Sequence, residues 1–233
     1  MYRDKKISVV IPCYNEEDGI AVVIGSLPRS VDEVVVVDNN STDRTAEIAA
    51  GMGARVVFEK RKGYGAAYKA GLPAVTGDIT VTMDGDGTYP VEQVEECIDF
   101  LLDNRIDFVS ASRFPLNNPV AMNRSNRIGN RILTLAALIL FMRRIRDSQS
   151  GMWIYRSEIY PQLQVRSDGM PLSEEIKINA IRHPEIRFEE YHVDYHPRVG
   201  EVKLEKWRDG LRNLLYLLKL RFTRLETKTQ RRR

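Results

Sequence analysis

The chain has 233 residues, of which 43% are hydrophobic and 29% are charged, and its formal net charge is +3. This is the composition of an ordinary soluble protein that is long enough to bury a full core. The two cysteines, Cys13 and Cys97, form no CxxC pair, which argues against a disulfide framework or a cysteine-rich metal site and suits a reducing cytosol. The first residues, MYRDKK, lead directly into a strand-like run, so we expect no signal peptide.

Strand and helix patterns alternate over the first half of the chain. Apolar runs typical of strands buried on both faces predict five strands, at residues 7–12, 33–38, 54–60, 78–84 and 107–113. Helical patterns lie between them, at about 17–27, 39–53, 63–75 and 91–104. In the second helix, Ser41 or Thr42 is the expected N-cap, and Gly51 or Gly53 the expected end. The alternation predicts an α/β fold with a mainly parallel sheet flanked by helices.

Charged residues stand at the ends of three of these strands. Asp38, Asp84 and Arg113 each close a predicted strand. In open parallel sheets, ligands bind at the carboxyl ends of the strands. We therefore expect one crevice to hold all three side chains.

Two apolar helical stretches flanked by basic residues lie in the second half. One covers residues 132–142, between arginines on both sides, and the other covers residues 207–222, which Arg212, Lys219 and Arg221 interrupt. A membrane span needs about 20 apolar residues, so neither qualifies. Each suits a helix packed on its own domain or a helix lying in a membrane interface, and two in one chain favour the interface.

The basic C-terminus, Arg231 to Arg233, is compatible with exposure to solvent and with binding to anionic lipid or nucleic acid, and by itself does not decide between these.

The segment VTMDGDGTYP places Asp84 and Asp86 one residue apart beside glycines. Two carboxylates at this spacing can hold a hard divalent cation, and Mg²⁺ and Mn²⁺ commonly bridge to substrate phosphates. Asp-Gly is also ordinary turn chemistry. The position of the pair, at the end of an apolar strand and in line with Asp38, favours the metal site.

Glycine-based phosphate sites are not indicated. Gly63 and Gly65 begin a GxG, but Tyr68 stands where GxGxxG requires its third glycine, and the segment follows the third strand rather than the first. The chain has no GxxxxGK[ST] loop either. Phosphate would therefore be held by a metal and by arginines.

Six sequence blocks resemble, in order, those of family 2 glycosyltransferases of the GT-A fold. The blocks are VVIPCYNEEDGI, VVVVDNNSTDRTAEIA, KGYGAAYKAGLPAVTGDITVTMDGDGTYP, SASRF, DSQSGMWIYR and HPRVGEVKL. The nearest subgroup is that of the dolichol-phosphate mannosyltransferases and polyprenyl-phosphate glycosyltransferases. The resemblance covers roughly residues 5 to 205 and implies a GDP-mannose or UDP-sugar donor with Mg²⁺ or Mn²⁺ as cofactor.

The resemblance also implies roles for individual residues. Asp84 and Asp86 hold the metal on the donor diphosphate, and Asp86 and Arg113 act in catalysis. The nucleoside pocket and its surroundings involve Pro12, Tyr14, Glu16, Asp38, Asn40 and Lys62. Phosphate contacts are implied for Arg113, Arg127, Arg198 and Lys203, with Arg124 and Arg131 as alternatives to Arg127. Two positions depart from the subgroup: Thr88 stands where a glutamine is usual, which leaves the third metal ligand open, and Val202 replaces a serine.

The identity of the acceptor decides whether a base is needed. A polyprenyl phosphate is already largely ionised, because the second pKa of a phosphate monoester is about 6, whereas a hydroxyl needs a general base. Asp147, Glu174 and Glu175 are the candidate bases, and each is equally compatible with a structural carboxylate in a cap or an ion pair. Attack opposite the departing diphosphate predicts inversion at the anomeric carbon.

Taken together, the sequence predicts an inverting, metal-dependent GT-A hexosyltransferase that uses a polyprenyl phosphate at the cytoplasmic face of a membrane without spanning it. Residues 1–205 would form the catalytic domain, with a basic-flanked helix within 113–150, and residues 206–233 a helix and basic tail. We expect no nucleic-acid partner. A membrane-protein partner and self-association both remain open as anchors. The alternatives are a transferase acting on a saccharide hydroxyl and a non-catalytic module that binds sugar nucleotides.

Overall fold

A seven-stranded sheet forms the centre of the molecule. The computed structural model describes residues 1–200 and 206–225. The strands are β1 (Ile7–Cys13), β2 (Glu33–Asp38), β3 (Arg55–Phe58), β4 (Ile79–Thr82), β5 (Phe108–Ser112), β6 (Trp153–Arg156) and β7 (Phe188–His192). Their spatial order is β3-β2-β1-β4-β6-β5-β7. All pairs are parallel except those of β6, which runs antiparallel to both β4 and β5.

Helices cover both faces of this sheet. They are α1 (Glu17–Ser26), α2 (Thr45–Gly51), α3 (Tyr64–Gly71), α4 (Val94–Asp103), α5 (Arg124–Phe141), α6 (Tyr160–Leu163), α7 (Leu172–Arg182) and α8 (Lys206–Phe222). Neighbouring β1 residues enter opposite cores: Val9 packs on the face covered by α1 and α4, and Val10 on the face covered by α3 and α7. Because side chains alternate along a strand, a strand covered on both faces has to be apolar throughout.

The predicted fold class is confirmed, and its details are corrected in three places. Strand β4 ends at Thr82, so Asp84 lies in the turn that follows rather than in the strand. Strands β6 and β7 were not predicted. Helix α2 begins at Thr45 after Arg44 without a side-chain cap, so the expected cap at Ser41 or Thr42 is wrong. Ser41 Oγ instead accepts a hydrogen bond from the backbone of Asn15 at 3.0 Å.

Helices α5 and α8 pack against each other and against α7 as a separate apolar layer. Their buried faces meet through Leu133, Ala137, Leu217 and Leu220. Each helix also carries an exposed apolar stripe on its opposite side with the same 4-3-4 spacing: Ile128, Ile132, Leu135 and Ile139 on α5, and Leu211, Leu215, Leu218 and Phe222 on α8. Within residues 1–200 and 206–225, none of the helices has the length and apolar character to cross a membrane.

Candidate functional site

The turn that carries Asp84 and Asp86 is clamped between β1 and α1. A Cβ built on Gly85 would lie 2.7 Å from Cys13 Sγ, and a Cβ on Gly19 would lie 2.6 Å from the Gly85 carbonyl oxygen. Real Cβ atoms do not approach other atoms this closely, so both positions require glycine. The two glycines let the start of α1 press directly on the turn, which fixes the backbone between the two aspartates.

Asp86 is held by neutral and charged donors. Its Oδ1 accepts hydrogen bonds from the Thr88 hydroxyl at 2.7 Å and the Thr88 amide at 3.0 Å. Its Oδ2 lies 2.6 Å from Nη1 of Arg198, and Nη2 of the same guanidinium lies 2.5 Å from Glu16 Oε1. Arg198, in the segment after β7, therefore bridges Asp86 and Glu16. The resemblance assigns all three residues to the binding of the donor.

The surroundings of Asp84 disfavour its negative charge. Burial and then the neighbouring charge of Asp86 raise the pKa of Asp84 to about 7, against the opposing charges of Arg113 and Arg198. A cation shared by the two carboxylates would remove this repulsion. Among the described residues no group of three or more His, Cys, Asp or Glu side chains could form a metal site. Two neighbouring carboxylates suit a hard cation, which commonly takes further oxygen ligands from phosphate and water.

A cavity of about 290 Å³ opens beside this pair. Its walls come from the carboxyl end of the sheet, the first turns of α5 and the first turns of α8, and include Asp84, Asp86, Arg113, Asn126, Arg198 and Asn213. A second cavity of about 600 Å³ lies between the start of α3, the 167–171 segment and α8. Tyr64, Met170 and Asp209 line both cavities, so the two spaces adjoin.

Arg113 and Asp147, both predicted to be catalytic, form a buried ion pair. Arg113 Nε lies 2.7 Å from Oδ2 and Nη2 lies 2.9 Å from Oδ1 of Asp147. Asn130 also donates to Asp147 at 2.6 Å. Burial alone would raise the pKa of Asp147, but the charge and hydrogen bonds of Arg113 outweigh it and hold that pKa well below its usual range. Such a carboxylate is a weak base, and the structure favours the ion-pair interpretation of Asp147.

The other two candidate bases lie in α7. Glu174 is 1% exposed, and burial raises its pKa to about 8 against the opposing charge of Lys177 and a hydrogen bond from Gln149. Neither oxygen of Glu175 is free: Oε2 accepts from the backbone amides of Arg166 and Ser167 at 3.0 and 2.8 Å, and Oε1 accepts from Tyr216 at 2.7 Å. Glu175 therefore fastens a loop and α8 together, which is a structural role.

The residues assigned to the nucleoside side lie at the ends of β1 and β2. Strand register pairs Pro12 with Val37 and Cys13 with Asp38. Asp38 accepts the Ser41 amide at 3.0 Å, and it lies outside the lining of the cavity that holds Asp84 and Arg113. The expected single crevice therefore contains two of its three residues.

Tyr14 and Lys62, which are also assigned to the nucleoside side, contact each other: Lys62 Nζ donates a hydrogen bond to the Tyr14 hydroxyl at 2.8 Å. Lys62 also lines the larger cavity. Asn40 has a positive φ of 63°, which places it at a sharp bend after β2. Its neighbour Asn39 accepts the Gly63 amide at 2.7 Å and donates to the carbonyls of Glu59 and Arg61. Asn39 thus positions the loop that carries Lys62.

The predicted phosphate ligands have different outcomes. Arg113 and Arg198 both line the smaller cavity, whereas Arg127 does not, because α5 presents Asn126, Gly129, Asn130 and Leu133 to it. The role of Arg127 stays a prediction. Lys203, with Val202, lies outside the described residues.

Sequence reasoning missed several residues at the site. Gly151 lies so close to Tyr64 that a Cβ there would be 2.2 Å from the tyrosine hydroxyl oxygen. Lys177 is fully buried and donates to the carbonyls of Asp147 and Ser150 at 2.9 and 3.0 Å. Gln149 and Asn213 face the smaller cavity from the loop before β6 and from α8. Gln149 and Gly151 lie in the resemblance block DSQSGMWIYR, but neither the local pattern nor the resemblance gave these four positions a role.

The family model described as Glycosyl transferase family 2 matches residues 8–163. A dolichyl-phosphate hexose transferase from Haloferax volcanii is 36% identical over 213 residues, which cover 90% of this chain and 91% of the relative. The low-salt glycan biosynthesis hexosyltransferase Agl6 of the same organism is 32% identical over 222 residues. These residues make up 91% of this chain but only 53% of Agl6, so the chain spans about half the length of that relative.

Solved structures of similar fold include glucosyl-3-phosphoglycerate synthase from Mycobacterium tuberculosis. Its complex with Mn²⁺, UDP and phosphoglyceric acid superposes with a TM-score of 0.75 at 25% identity, over 95% of this chain and 80% of that one. Its complex with Mn²⁺, UDP-glucose and phosphoglyceric acid gives a TM-score of 0.73 at 26% identity, over 94% and 80% of the two chains. The sheet and its flanking helices are therefore those of a GT-A glycosyltransferase.

Proposed function

The chain belongs to glycosyl transferase family 2, and on that premise we propose that it moves a hexose from a nucleoside diphosphate sugar to a polyprenyl phosphate with inversion. The observation that carries the proposal is the cavity in which the Asp84–Asp86 pair meets Arg113 and Arg198. Two carboxylates and two guanidiniums at one cavity wall suit a metal–diphosphate leaving group. The charge that develops on that group needs cations around it.

Mg²⁺ or Mn²⁺ is the cofactor that fits the carboxylate pair. Asp84 and Asp86 would hold it, and it would supply positive charge to the departing diphosphate. The mycobacterial neighbour was solved with Mn²⁺ and UDP, which supports this choice. Arg113, kept ionised and oriented by Asp147, would add a fixed positive charge on the same side.

The candidate bases favour a phosphate acceptor over a hydroxyl. Asp147 and Glu175 are engaged in buried hydrogen bonds, and Glu174, with a pKa of about 8, is largely protonated at neutral pH. A polyprenyl phosphate needs no base because it is already ionised. The Haloferax dolichyl-phosphate hexose transferase supports the same acceptor class.

Helices α5 and α8 would bring this acceptor to the site. Their exposed apolar stripes lie beside exposed basic residues, namely Arg131, Arg143, Arg144, Arg212, Lys219 and Arg221. This combination suits a helix pair lying in the head-group region of an anionic membrane. The first turns of both helices also line the smaller cavity, so a lipid phosphate at the membrane surface would be close to the donor.

Transfer assays with labelled nucleotide sugars test the proposal. We expect transfer to polyprenyl phosphate with Mg²⁺ or Mn²⁺, and a loss of at least about 100-fold on Asp84→Asn or Asp86→Asn, the scale of removing one group that stabilises transition-state charge. Asp103→Asn, at an exposed ion pair of α4, is the matched control and should keep full activity. Full turnover in both site variants would refute the metal assignment.

The second candidate acceptor is a hydroxyl. It is favoured by the fold similarity to a synthase solved with UDP-glucose and phosphoglyceric acid. Transfer to a saccharide or glycerate hydroxyl, with none to the lipid phosphate, would replace the lipid proposal. Failure to transfer or hydrolyse any sugar nucleotide would leave a non-catalytic binding module.

A further inference from the structure

We infer that Asn213, on α8, determines sugar specificity by accepting a hydrogen bond from a hydroxyl of the transferred hexose. The inference rests on the proposed hexose transfer and adds a residue that neither the family resemblance nor the sequence motifs assign. It comes from one side chain that is almost fully buried, lines the smaller cavity and keeps an unused acceptor. Asn213 is 3% exposed, and it shares that cavity with Asp84 and Asp86.

A short chain of hydrogen bonds fixes which way the Asn213 amide points. Its Nδ2 donates to Gln149 Oε1 at 2.7 Å. Gln149 in turn donates from Nε2 to Glu174 Oε1, an oxygen that can accept whether or not the carboxyl carries a proton on Oε2. In the structure the chain therefore runs from Asn213 through Gln149 to Glu174. It leaves Asn213 Oδ1 without a hydrogen-bond partner in the described part of the protein.

An unpaired buried acceptor destabilises the protein, so a ligand that supplies a donor at this point gains affinity and selectivity. A diphosphate and an ionised phosphate acceptor offer oxygens that accept. A hexose offers several hydroxyls that donate, and it must lie next to the diphosphate held at Asp84 and Asp86. The ribose also carries hydroxyl donors, but Asp38, which is assigned to the nucleoside, lies outside this cavity. The hexose is therefore the part of the donor that we match to Asn213 Oδ1.

The cavity wall around Asn213 leaves room for a sugar ring. On α8, a Cβ built at Gly210 would meet no atom of the described residues within 4 Å beyond its chain neighbours and the adjacent backbone of its own helix, and the same holds at Gly129 on the facing α5. Both glycines line the smaller cavity. The absence of side chains at these two points leaves more room in the cavity that Asn213 lines.

A second asparagine separates the effect of the cavity from that of an unpaired oxygen. Asn179, in α7, is 1% exposed, donates from Nδ2 to the Leu163 carbonyl at 2.8 Å, and also has an Oδ1 without a partner among the described residues. It does not line either cavity. Asn179→Leu is therefore the matched control for Asn213→Leu: it removes a similar buried amide away from the ligand.

The test measures kcat/KM for the donor used by the wild-type chain and for its monodeoxy-hexose analogues. In the wild type, we expect one ring position to lose about 10- to 100-fold when its hydroxyl is removed, since about 1.4 kcal/mol corresponds to tenfold. In Asn213→Leu, that position should lose less than about threefold, while the effects at the other positions stay as in the wild type. Asn179→Leu should keep the wild-type profile, whatever its melting temperature.

Several results would overturn the inference. These are a wild-type profile that is flat across all ring positions, a sensitive position that Asn213→Leu leaves unchanged, and a sensitivity that Asn213→Leu removes at the ribose rather than at the hexose. If Asn213→Leu fails to fold, Asn213→Ala takes its place, and the wild-type profile still tests the requirement for a hydroxyl. A wild-type chain that transfers no hexose refutes the proposed function itself, whereas normal transfer with an unchanged profile refutes only the role of Asn213.

Discussion

Arg113 and Asp147 form an ion pair that is almost completely withdrawn from water. Their side chains are 8% and 0% exposed, and Nε lies 2.7 Å from Oδ2. The pair joins the residue after β5 to the loop before β6, two segments that meet beside the turn that carries Asp84 and Asp86. The same bonds that deprive Asp147 of basicity keep the Arg113 guanidinium at the cavity wall, which makes Asp147 a positioning residue for a charge.

Asp147→Asn should therefore destabilise the fold strongly. Removing one member of a buried pair leaves the other charge uncompensated, and the expected loss in the free energy of unfolding is about 3–5 kcal/mol. Denaturant unfolding measures it. Glu47→Gln is the control, because its pair with Arg44 is 67% and 69% exposed and should contribute about 0–1 kcal/mol. A variant with wild-type stability that lost only transfer to hydroxyl acceptors would restore Asp147 as a general base.

Glu174→Gln should flatten the pH dependence of stability. Burial raises the folded-state pKa of Glu174 from 4.5 to about 8, so its contribution is fully present below about pH 4.5 and is lost as pH rises towards 8. Glutamine resembles the protonated carboxyl and does not titrate. We expect the melting temperature of the wild type to fall relative to that of Glu174→Gln between pH 5 and pH 8. Parallel curves for the two proteins would contradict the raised pKa.

The first five strands were predictable because each appears as an apolar run, and all of them except the edge strand β3, whose end residues are exposed, are covered on both faces. Strand β6 was not, since its four residues, WIYR, follow a long loop and enter the sheet antiparallel between β4 and β5. Its pairing depends on partners more than 40 residues away in the chain, such as Val109 and Val81, which pair with Ile154. Local pattern carries no information about such a partner.

At the site, the sequence identified the carboxylate pair and missed what organises it. Asp84 and Asp86 form a short motif, and its position at the end of an apolar run, together with its spacing, suggested a metal. The side chains that hold the two aspartates come from distant segments of the chain. Arg198, which forms an ion pair with Asp86, lies just before the undescribed residues 201–205. The candidate bases show the same limit, because only the three-dimensional partners of Asp147 and Glu175 reveal that both are already engaged.

Gly151→Ala should disturb the site through Tyr64. The new Cβ would lie 2.2 Å from the Tyr64 hydroxyl oxygen and 3.4 Å from Asp84 Oδ1, so the tyrosine has to move. Overpacking of this kind costs about 1–3 kcal/mol, and we expect kcat/KM for the donor to fall. Gly51→Ala is the control, because nothing lies within 4 Å of its Cβ. Adding Tyr64→Phe to Gly151→Ala removes the clashing oxygen and should recover part of the stability; no recovery would place the strain elsewhere.

The paired stripes of α5 and α8 predict binding to anionic vesicles. Ile139 and Leu211 are 64% and 59% exposed, and burying such a side chain in lipid contributes about 1.5–3 kcal/mol. The double variant Ile139→Asp/Leu211→Asp should lose at least tenfold in partitioning to vesicles that contain anionic lipid, as measured by co-sedimentation, and keep its melting temperature. Val22→Asp changes a similarly exposed residue on α1 (54%) and should bind like the wild type.

Binding of the wild type should weaken with salt, because the flanking arginines contribute by charge. A wild-type chain that stays in the supernatant, or a double variant that sediments equally well, would rule out this surface as the membrane contact.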